Sequence, residues 1–284
     1  MLKRCLISLL SIFILCGASK DINIKDITVE KLNELYKQHD YKSYIYMPKW
    51  QYPPIFLEKL PSDYDQIKSK NDRNKIFLMI MGPLALKLKQ ELLAERKELQ
   101  SIAKSFKKNN DLSPDESERL EDFAQKYDVF SRLTGSRRYN LLITELLLRI
   151  NVVPPSILMA SAAINSDWGT SYPALNANNF YKSIEWNEDQ GLPPQFPGEE
   201  KYNSQTYPSI YASMQNYALK INSGTGYVLF RQARKEMEYR EKPFSGRELA
   251  YTMTLDSNLQ NYAGILDYTI TFYELINFDT ATLK

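Results

Sequence analysis

The polar residues best placed for chemistry stand together at one point of the chain, which reads Asn165-Ser166-Asp167-Trp168-Gly169. They follow a run of small side chains at positions 160–163, which lets a neighbouring helix or a ligand approach the backbone closely. The indole ring of Trp168 adds a large flat surface beside residue 165. The amide of Asn165 can donate and accept hydrogen bonds, but it cannot deliver a proton. On helical geometry Asp167 points away from residue 165, which is typical of a cap or loop anchor.

The composition excludes several other kinds of catalytic or metal site. The chain has one histidine, His39, which rules out a multi-histidine metal site and leaves one poorly placed candidate for a serine–histidine mechanism. Both cysteines, Cys5 and Cys16, lie in an N-terminal segment that we expect to be removed. Disulfides, zinc thiolates and cysteine nucleophiles are therefore not expected in the mature chain. Acid–base chemistry must come from carboxylates, tyrosines or lysines, and no metal or cofactor is predicted.

The N-terminal segment has the order of a secretory signal peptide. Two basic residues at 3–4 precede an apolar run at 5–16, and small residues follow at 17–19. The apolar run is too short to span a bilayer. We therefore predict a signal peptide at 1–19 and an exported protein, periplasmic or in the cell envelope, with no membrane span after cleavage. Cys16 could instead carry a lipid as the first residue of a lipoprotein, but the bulky residue before it disfavours that processing.

The charge balance argues against a nucleic-acid partner. The whole chain has 36 basic and 34 acidic residues, and the signal segment contains two of the basic residues and no acid. The mature chain would therefore carry 34 residues of each sign. Binding to nucleic acid draws on a marked excess of positive charge, which is missing here.

The chain divides by composition. Residues 20–60 are rich in tyrosine and proline, and the prolines break any long helix, so we predict an extended arm packed on something else. Residues 61–135 show a helical pattern from 69 to 107, in which Pro83 should kink or restart the helix. A second helix is predicted to begin at Ser113, where Glu116 completes a capping box. Together these two helices make an α-hairpin, which we interpret as packing scaffold.

The string from Ala160 to Ser171, followed by Asn178-Asn179-Phe180-Tyr181, resembles the signature of bacterial glucosaminidase-type peptidoglycan hydrolases. That signature runs Ala-x-Ala-Ala-x-Glu-Ser-Gly-Trp-Gly-x-Ser and later Asn-Asn-Leu-Phe-Gly. The preceding hairpin, the Val-Pro-Pro-Ser stretch at 153–156 and the Asp-Gln-Gly-Leu-Pro stretch at 189–193 are most similar to the Bax-like branch. The resemblance covers about residues 60–275, with a glucosaminidase-like domain at 136–278 and a tail at 279–284.

The resemblance implies a mainly α, lysozyme-like helical domain with a small loop/β lobe over the cleft, preceded by the α-hairpin. The cleft of the family binds the strand of N-acetylglucosamine and N-acetylmuramic acid, and a glutamate protonates the glycosidic oxygen. That glutamate falls on Asn165. The family's glycine before tryptophan falls on Asp167, and the glycine after Leu-Phe falls on Lys182. A tyrosine that the family places beside the cleaved bond matches Tyr262.

The departure at Asn165 weighs most for function. Glycosidic cleavage needs a proton on the leaving oxygen, and general acid catalysis contributes roughly 10²- to 10⁴-fold in rate. We therefore predict an exported cell-wall protein that binds peptidoglycan glycan strands with weakened or lost hydrolysis. We expect aromatic rings to stack on sugar faces, amides to bind sugar polar groups, and Asp167 to line the cleft. The rings are those of Trp168, Phe180 and Tyr181, and the amides are those of Asn165, Asn178 and Asn179.

Two alternatives stay open. In the first, the protein is an active β-N-acetylglucosaminidase that uses a carboxylate from the loop at 182–205, of which Glu185 is nearest to the 178–180 motif. In the second, it is a structural partner in envelope assembly, and residues 20–60 together with the hairpin bind another envelope protein.

Overall fold

A computed structural model describes residues 20–45, 47–196, 198, 202–253 and 260–284. The predicted signal peptide at 1–19, including Cys16, lies outside the described residues. The described helices are α1 Val29–Gln38, α2 Lys70–Asn109, α3 Pro114–Lys126, α4 Gly135–Arg149, α5 Pro155–Asn165, α6 Tyr172–Ala177, α7 Ile210–Ser223, α8 Val228–Tyr239, α9 Gly246–Ala250 and α10 Tyr262–Phe272. Within these ranges no helix is both long enough and apolar enough to cross a membrane.

The strands are few and short. They are β1 Ile22–Ile24, β2 Gln51–Tyr52, β3 Ile55–Leu57, β4 Ile184–Glu185, β5 Asn203–Ser204 and β6 Thr282–Leu283. They form three separate pairs: β1 with β3 and β2 with β6 are parallel, and β4 with β5 is antiparallel. The expected mainly α fold with a small β lobe is therefore confirmed.

The prediction of an extended arm at 20–60 is wrong. Strand β1 pairs in parallel with β3, and α1 supplies the crossover connection that a parallel pair requires. Tyrosine rings of this segment are buried in the main core: Tyr52 stacks on Phe278 at 4.5 Å, and the hydroxyl of Tyr41 donates to the carbonyl of Met79. Tyr36, Tyr41, Tyr44 and Tyr52 all belong to the main core, because burying an aromatic ring is strongly favourable.

The C-terminal tail is also built into the body. Strand β6 pairs with β2, and the ammonium of Lys89 on α2 donates to the carbonyls of Asp279 and Ala281. Strand pairing thus joins residues 20–60 to the C-terminal tail, and Lys89 joins that tail to α2. Residues 279–284 are part of the fold rather than a free end.

The α-hairpin has its own small core. Helix α2 is 40 residues long and continues through Pro83 instead of restarting there. The residues around Pro83 are buried on all sides, so tertiary packing compensates for the hydrogen bond that proline cannot make. The capping box of Ser113 and Glu116 at the start of α3 is present as predicted. The C-terminal half of α2 packs with α3 and α4 around a second cluster that includes Leu99, Leu120, Phe123, Leu142 and Leu146.

A buried arginine joins α8 to the end of α4. The guanidinium of Arg234 on α8 is fully buried and donates five hydrogen bonds at 2.8–3.1 Å. Four of them go to backbone carbonyls at 148–152, where α4 ends, and the fifth goes to the side chain of Asn222. A helix leaves its last four carbonyls without internal partners, and Arg234 satisfies two of them, those of Leu148 and Arg149. Its other two carbonyl acceptors, Asn151 and Val152, lie just after the helix. Burial, with the charges of Arg96 and Arg231 next, lowers the pKa of Arg234 to about 9.

Candidate functional site

The site is carried by α5, which presents Asn165 at its C-terminal end. The helix begins at Pro155, whose fixed φ suits the first helical position. Its next residue is held by Asp279: the carboxylate accepts from the backbone N–H of Ser156 at 3.0 Å, from the Ser156 hydroxyl at 2.9 Å and from the N–H of Gly246 at 2.8 Å. An acid at a helix N-terminus satisfies free N–H groups and complements the helix dipole. Burial raises the pKa of Asp279 to about 6, and these hydrogen bonds and the charge of Lys89 oppose that rise.

Asn165 belongs to a buried chain of polar groups. Its amide nitrogen donates to the Tyr262 hydroxyl at 3.3 Å. The hydroxyls of Tyr262 and Tyr217 each donate to the hydroxyl oxygen of Ser161 at 3.1 Å. Only 3% of Asn165 is exposed, and the other three residues are buried as well. The structure therefore brings together two of the three predicted catalytic positions, Asn165 and Tyr262, as partners in a hydrogen bond.

The turn after α5 is fixed by Ser166. Its hydroxyl donates to the carbonyl of Ala162 at 2.6 Å and accepts from the N–H of Gly169 at 2.8 Å. The three residues 167–169 all have left-handed backbone, with φ of 48°, 57° and 81°. A glycine is favoured in that region, and aspartate is one of the side chains that tolerates it. Asp167, the position that matches the family's glycine, thus has a backbone conformation that a glycine would adopt without strain; it is exposed, and its carboxylate contacts the Thr170 hydroxyl.

Trp168 lies half-buried between two aromatic residues. Its ring centroid is 4.5 Å from that of Tyr273 and 5.8 Å from that of Phe77. The backbone carbonyl of Trp168 accepts from the Tyr64 hydroxyl at 2.7 Å, which joins the turn to the segment before α2. The partly exposed ring remains a candidate surface for a sugar face.

The expectation that Phe180 and Tyr181 stack on sugars is wrong. Phe180 is 0% exposed and contacts the ring of Phe77. The ring of Tyr181 stacks on that of Tyr217 at 4.2 Å, and its hydroxyl donates to the carbonyl of Leu158. Burial raises the pKa of Tyr181 well above its usual value. The ring of Tyr181 therefore packs between α5 and α7, and the ring of Phe180 packs against α2, so both serve the core instead of facing a ligand.

The two neighbouring asparagines also bind the protein itself. Asn179 is buried; its amide nitrogen donates to the carbonyls of Ser183 and Gln205, and its amide oxygen accepts from the N–H of Ser183. The expectation that it presents its amide to a sugar is therefore wrong. Asn178 ends α6 in left-handed conformation, with φ of 50°, and donates to the carbonyl of Tyr207. Asn178 is half-buried, so its amide oxygen is the part left for a ligand.

Glu185 lies on β4, in the small lobe. Its carboxylate accepts from the backbone N–H of Asn187 at 3.1 Å. Lys182, which precedes the strands of the same lobe and matches the family's second glycine, also has left-handed backbone, with φ of 51°. Among the described residues no contact joins Glu185 to Asn165 or Tyr262.

Two cavities flank α7. One, of about 330 Å³, lies between α2 and α7 and is lined by Glu91, Glu95 and Lys126, among others. The other, of about 440 Å³, lies between α7 and the small lobe and includes Lys182 and Trp186. Asn165 lines neither of these two cavities. In the described part of the chain no group of three or more histidine, cysteine or acidic side chains is arranged to hold a metal ion.

Sequence reasoning did not identify two residues that position this site. Ser161 stands inside the small-residue run, where its hydroxyl is the one polar group among alanines, and that was the available signal. Asp279 gave no local signal, because its partner Ser156 is 123 positions away in the sequence.

Comparison with known proteins agrees with the motif. The sequence model of the glucosaminidase family, described as mannosyl-glycoprotein endo-beta-N-acetylglucosaminidase, matches residues 143–277. Protein bax of Escherichia coli (strain K12) is 28% identical over 193 residues, which is 67% of this chain and 66% of that protein, just under two thirds of its length. Among solved structures, the catalytic domain of the autolysin Auto from Listeria monocytogenes is 17% identical with a TM-score of 0.34, covering 64% of this chain and 87% of that one.

Proposed function

Since this chain belongs to the glucosaminidase family through residues 143–277, we propose that it is an exported cell-wall protein that binds the glycan strands of peptidoglycan. Its hydrolytic activity is weakened or lost, because Asn165 occupies the position of the proton-donating glutamate. The protein acts in the periplasm or cell envelope, after removal of the signal peptide at 1–19 and without a lipid at Cys16.

One observation carries this proposal: the hydrogen bond between the Asn165 amide and the Tyr262 hydroxyl. The two positions that the family motif marks for catalysis lie in contact although 97 residues separate them in the sequence. This contact supports a site arranged as the resemblance implies, in which the glutamate is replaced by Asn165 and two glycines are replaced by Asp167 and Lys182. An amide has no ionisable proton to give to a glycosidic oxygen, whereas it still hydrogen-bonds hydroxyl and acetamido groups.

Tyr262 supports binding and charge stabilisation but does not replace the acid. A tyrosine hydroxyl can stabilise developing positive or negative charge through its dipole. In this protein the Tyr262 hydroxyl donates to Ser161 and accepts from Asn165. That arrangement fits a residue that orients the amide toward a bound sugar.

The two other functions have less support. A hydrolase that uses Glu185 would need this carboxylate within several ångström of the scissile bond, and the contacts described for Glu185 lie within its own hairpin. An envelope partner bound through residues 20–60 would need free ring surface there, whereas Tyr36, Tyr41, Tyr44 and Tyr52 of that segment pack into the main core.

The test combines binding and turnover in one preparation. Purified mature protein is mixed with insoluble peptidoglycan; the bound fraction is measured by sedimentation, and soluble reducing ends are counted over time. We expect the protein to sediment with the polymer while the count of reducing ends stays at the level of the buffer blank. Solubilisation at a rate comparable with that of an active glucosaminidase would contradict the loss of hydrolysis. Failure to sediment would contradict glycan binding.

A further inference from the structure

Helix α10 presents two different faces. The inner face buries Tyr262, Leu266 and Ile270. Tyr262, at the start of this face, contacts Asn165. Ile265, Tyr268 and Phe272 recur at spacings of three and four and therefore share the outer face. On that face Tyr268 and Phe272 are each 63% exposed. We call Ile265, Tyr268 and Phe272 the outer stripe.

The rings of the outer stripe connect with the candidate site. The rings of Tyr268 and Phe272 are stacked, 5.5 Å apart at 23°. Phe272 meets Tyr273 edge-on at 5.0 Å, and Tyr273 lies 4.5 Å from Trp168. A continuous series of aromatic contacts thus runs from the turn after Asn165 to the surface of α10. Between Tyr262 and Phe272 the helix extends about 15 Å, at about 1.5 Å per residue.

A set of polar side chains lies on another side of α10. The carboxylate of Asp267 accepts from the Arg247 guanidinium at 2.8 Å and from the Tyr251 hydroxyl at 3.0 Å. These hydrogen bonds hold the pKa of Asp267 below its usual value, with Arg247 as the main cause. Ligand sites for sugars need flat apolar surface with a few fixed polar groups. The outer stripe supplies the flat apolar surface, and Asp267 with its two partners supplies fixed polar groups elsewhere on the same helix. Two large apolar rings that stay exposed on one helix face contribute little to the stability of the free protein. Such a patch indicates a surface that a ligand covers on binding.

We propose that the outer stripe is a second sugar platform, which extends the glycan site beyond Asn165 along α10. It rests on the proposed function and specifies the ligand further: a glycan strand longer than a disaccharide, with sugar rings stacked on Tyr268 and Phe272. The ring contacts through Tyr273 and Trp168 favour this occupant, because they make the platform continuous with the site that carries the family motif. A strand bound across both surfaces would be held by more than one sugar unit.

The test compares ligands of two lengths. Dissociation constants are measured by calorimetry for a β-1,4-linked N-acetylglucosamine disaccharide and hexasaccharide, with wild type, Tyr268→Ala, Phe272→Ala and the double variant. We expect the double variant to lose at least about tenfold in affinity for the hexasaccharide, since each aromatic contact contributes on the order of 1 kcal/mol. Affinity for the disaccharide should not change. Phe272→Trp, which keeps a flat ring, should retain wild-type affinity.

Tyr239→Ala is the matched control, because Tyr239 is 84% exposed and lies on α8. Equal hexasaccharide affinity of wild type and the double variant would overturn the platform while leaving glycan binding in place. A wild type that binds neither sugar would instead remove the proposed function. A self-associating wild type that becomes monomeric in the double variant, with sugar affinity unchanged, would overturn the platform in favour of a second copy of the chain.

Discussion

The carboxylate of Asp279 fixes the N-terminus of the helix that carries Asn165, and we predict that Asp279→Ala lowers stability strongly. The substitution leaves the buried N–H groups of Ser156 and Gly246 without an acceptor. Each such group costs about 1–3 kcal/mol, so removal of the carboxylate should cost about 2–6 kcal/mol when its own desolvation is not counted.

The loss should depend on pH. The pKa of Asp279 is raised from 3.8 to about 6 in the folded protein. The folded state therefore holds this proton more tightly than the unfolded chain, and the resulting stability is complete below pH 4 and is lost as the pH rises through about 6. A rise of about two pKa units corresponds to about 3 kcal/mol. The difference between wild type and Asp279→Ala should therefore be larger at pH 4.5 than at pH 7.

Urea unfolding followed by circular dichroism, at pH 4.5 and at pH 7, measures the loss of stability in Asp279→Ala and its dependence on pH. Asp65→Ala serves as the control, because Asp65 is exposed and should leave the unfolding midpoint nearly unchanged at either pH. A loss below about 1 kcal/mol for Asp279→Ala, or a loss that is equal at pH 4.5 and pH 7, would refute this account of the helix start.

Three further outcomes follow from the structure. Arg234→Met leaves several buried carbonyls unpaired and should lower the free energy of unfolding by more than about 3 kcal/mol in urea, whereas the exposed Arg240→Met should change it by less than about 0.5 kcal/mol. Lys182→Gly relieves a left-handed backbone and should raise stability by about 0.5–1 kcal/mol in thermal unfolding; an equal gain from Lys182→Ala would count against strain as the cause. Glu185→Gln should leave peptidoglycan sedimentation and reducing-end release unchanged, and a marked loss of either would place this carboxylate in the site.

Local patterns predicted the elements whose causes are local. The capping box at Ser113, for example, follows from residues within three positions of each other and is present. The contact between Asn165 and Tyr262 was accessible through the family motif, since the two residues are 97 positions apart.

The strand pairing of residues 20–60 and the burial of Phe180 and Tyr181 could not be predicted from local patterns. Strand β2 pairs with β6 at the far end of the chain, and β1 pairs with β3 across α1. No local periodicity records such pairing. Phe180 and Tyr181 have the composition of a sugar-stacking site, but the same rings serve a protein core equally well. Their burial depends on Phe77 and Tyr217, which the spacing around residue 180 does not reveal.

The replacement Asn165→Glu tests most directly whether the amide at position 165 is the cause of the lost hydrolysis. Soluble reducing ends released from purified peptidoglycan are counted for wild type, Asn165→Glu and Asn165→Gln, with Asn165→Gln as the neutral variant of matched length. Burial at this position would favour the protonated form of the new carboxyl, which is the form that a general acid needs. We predict at least about a 10²-fold gain for Asn165→Glu alone. Equal, vigorous release by all three proteins would show that another group supplies the proton and would contradict the account.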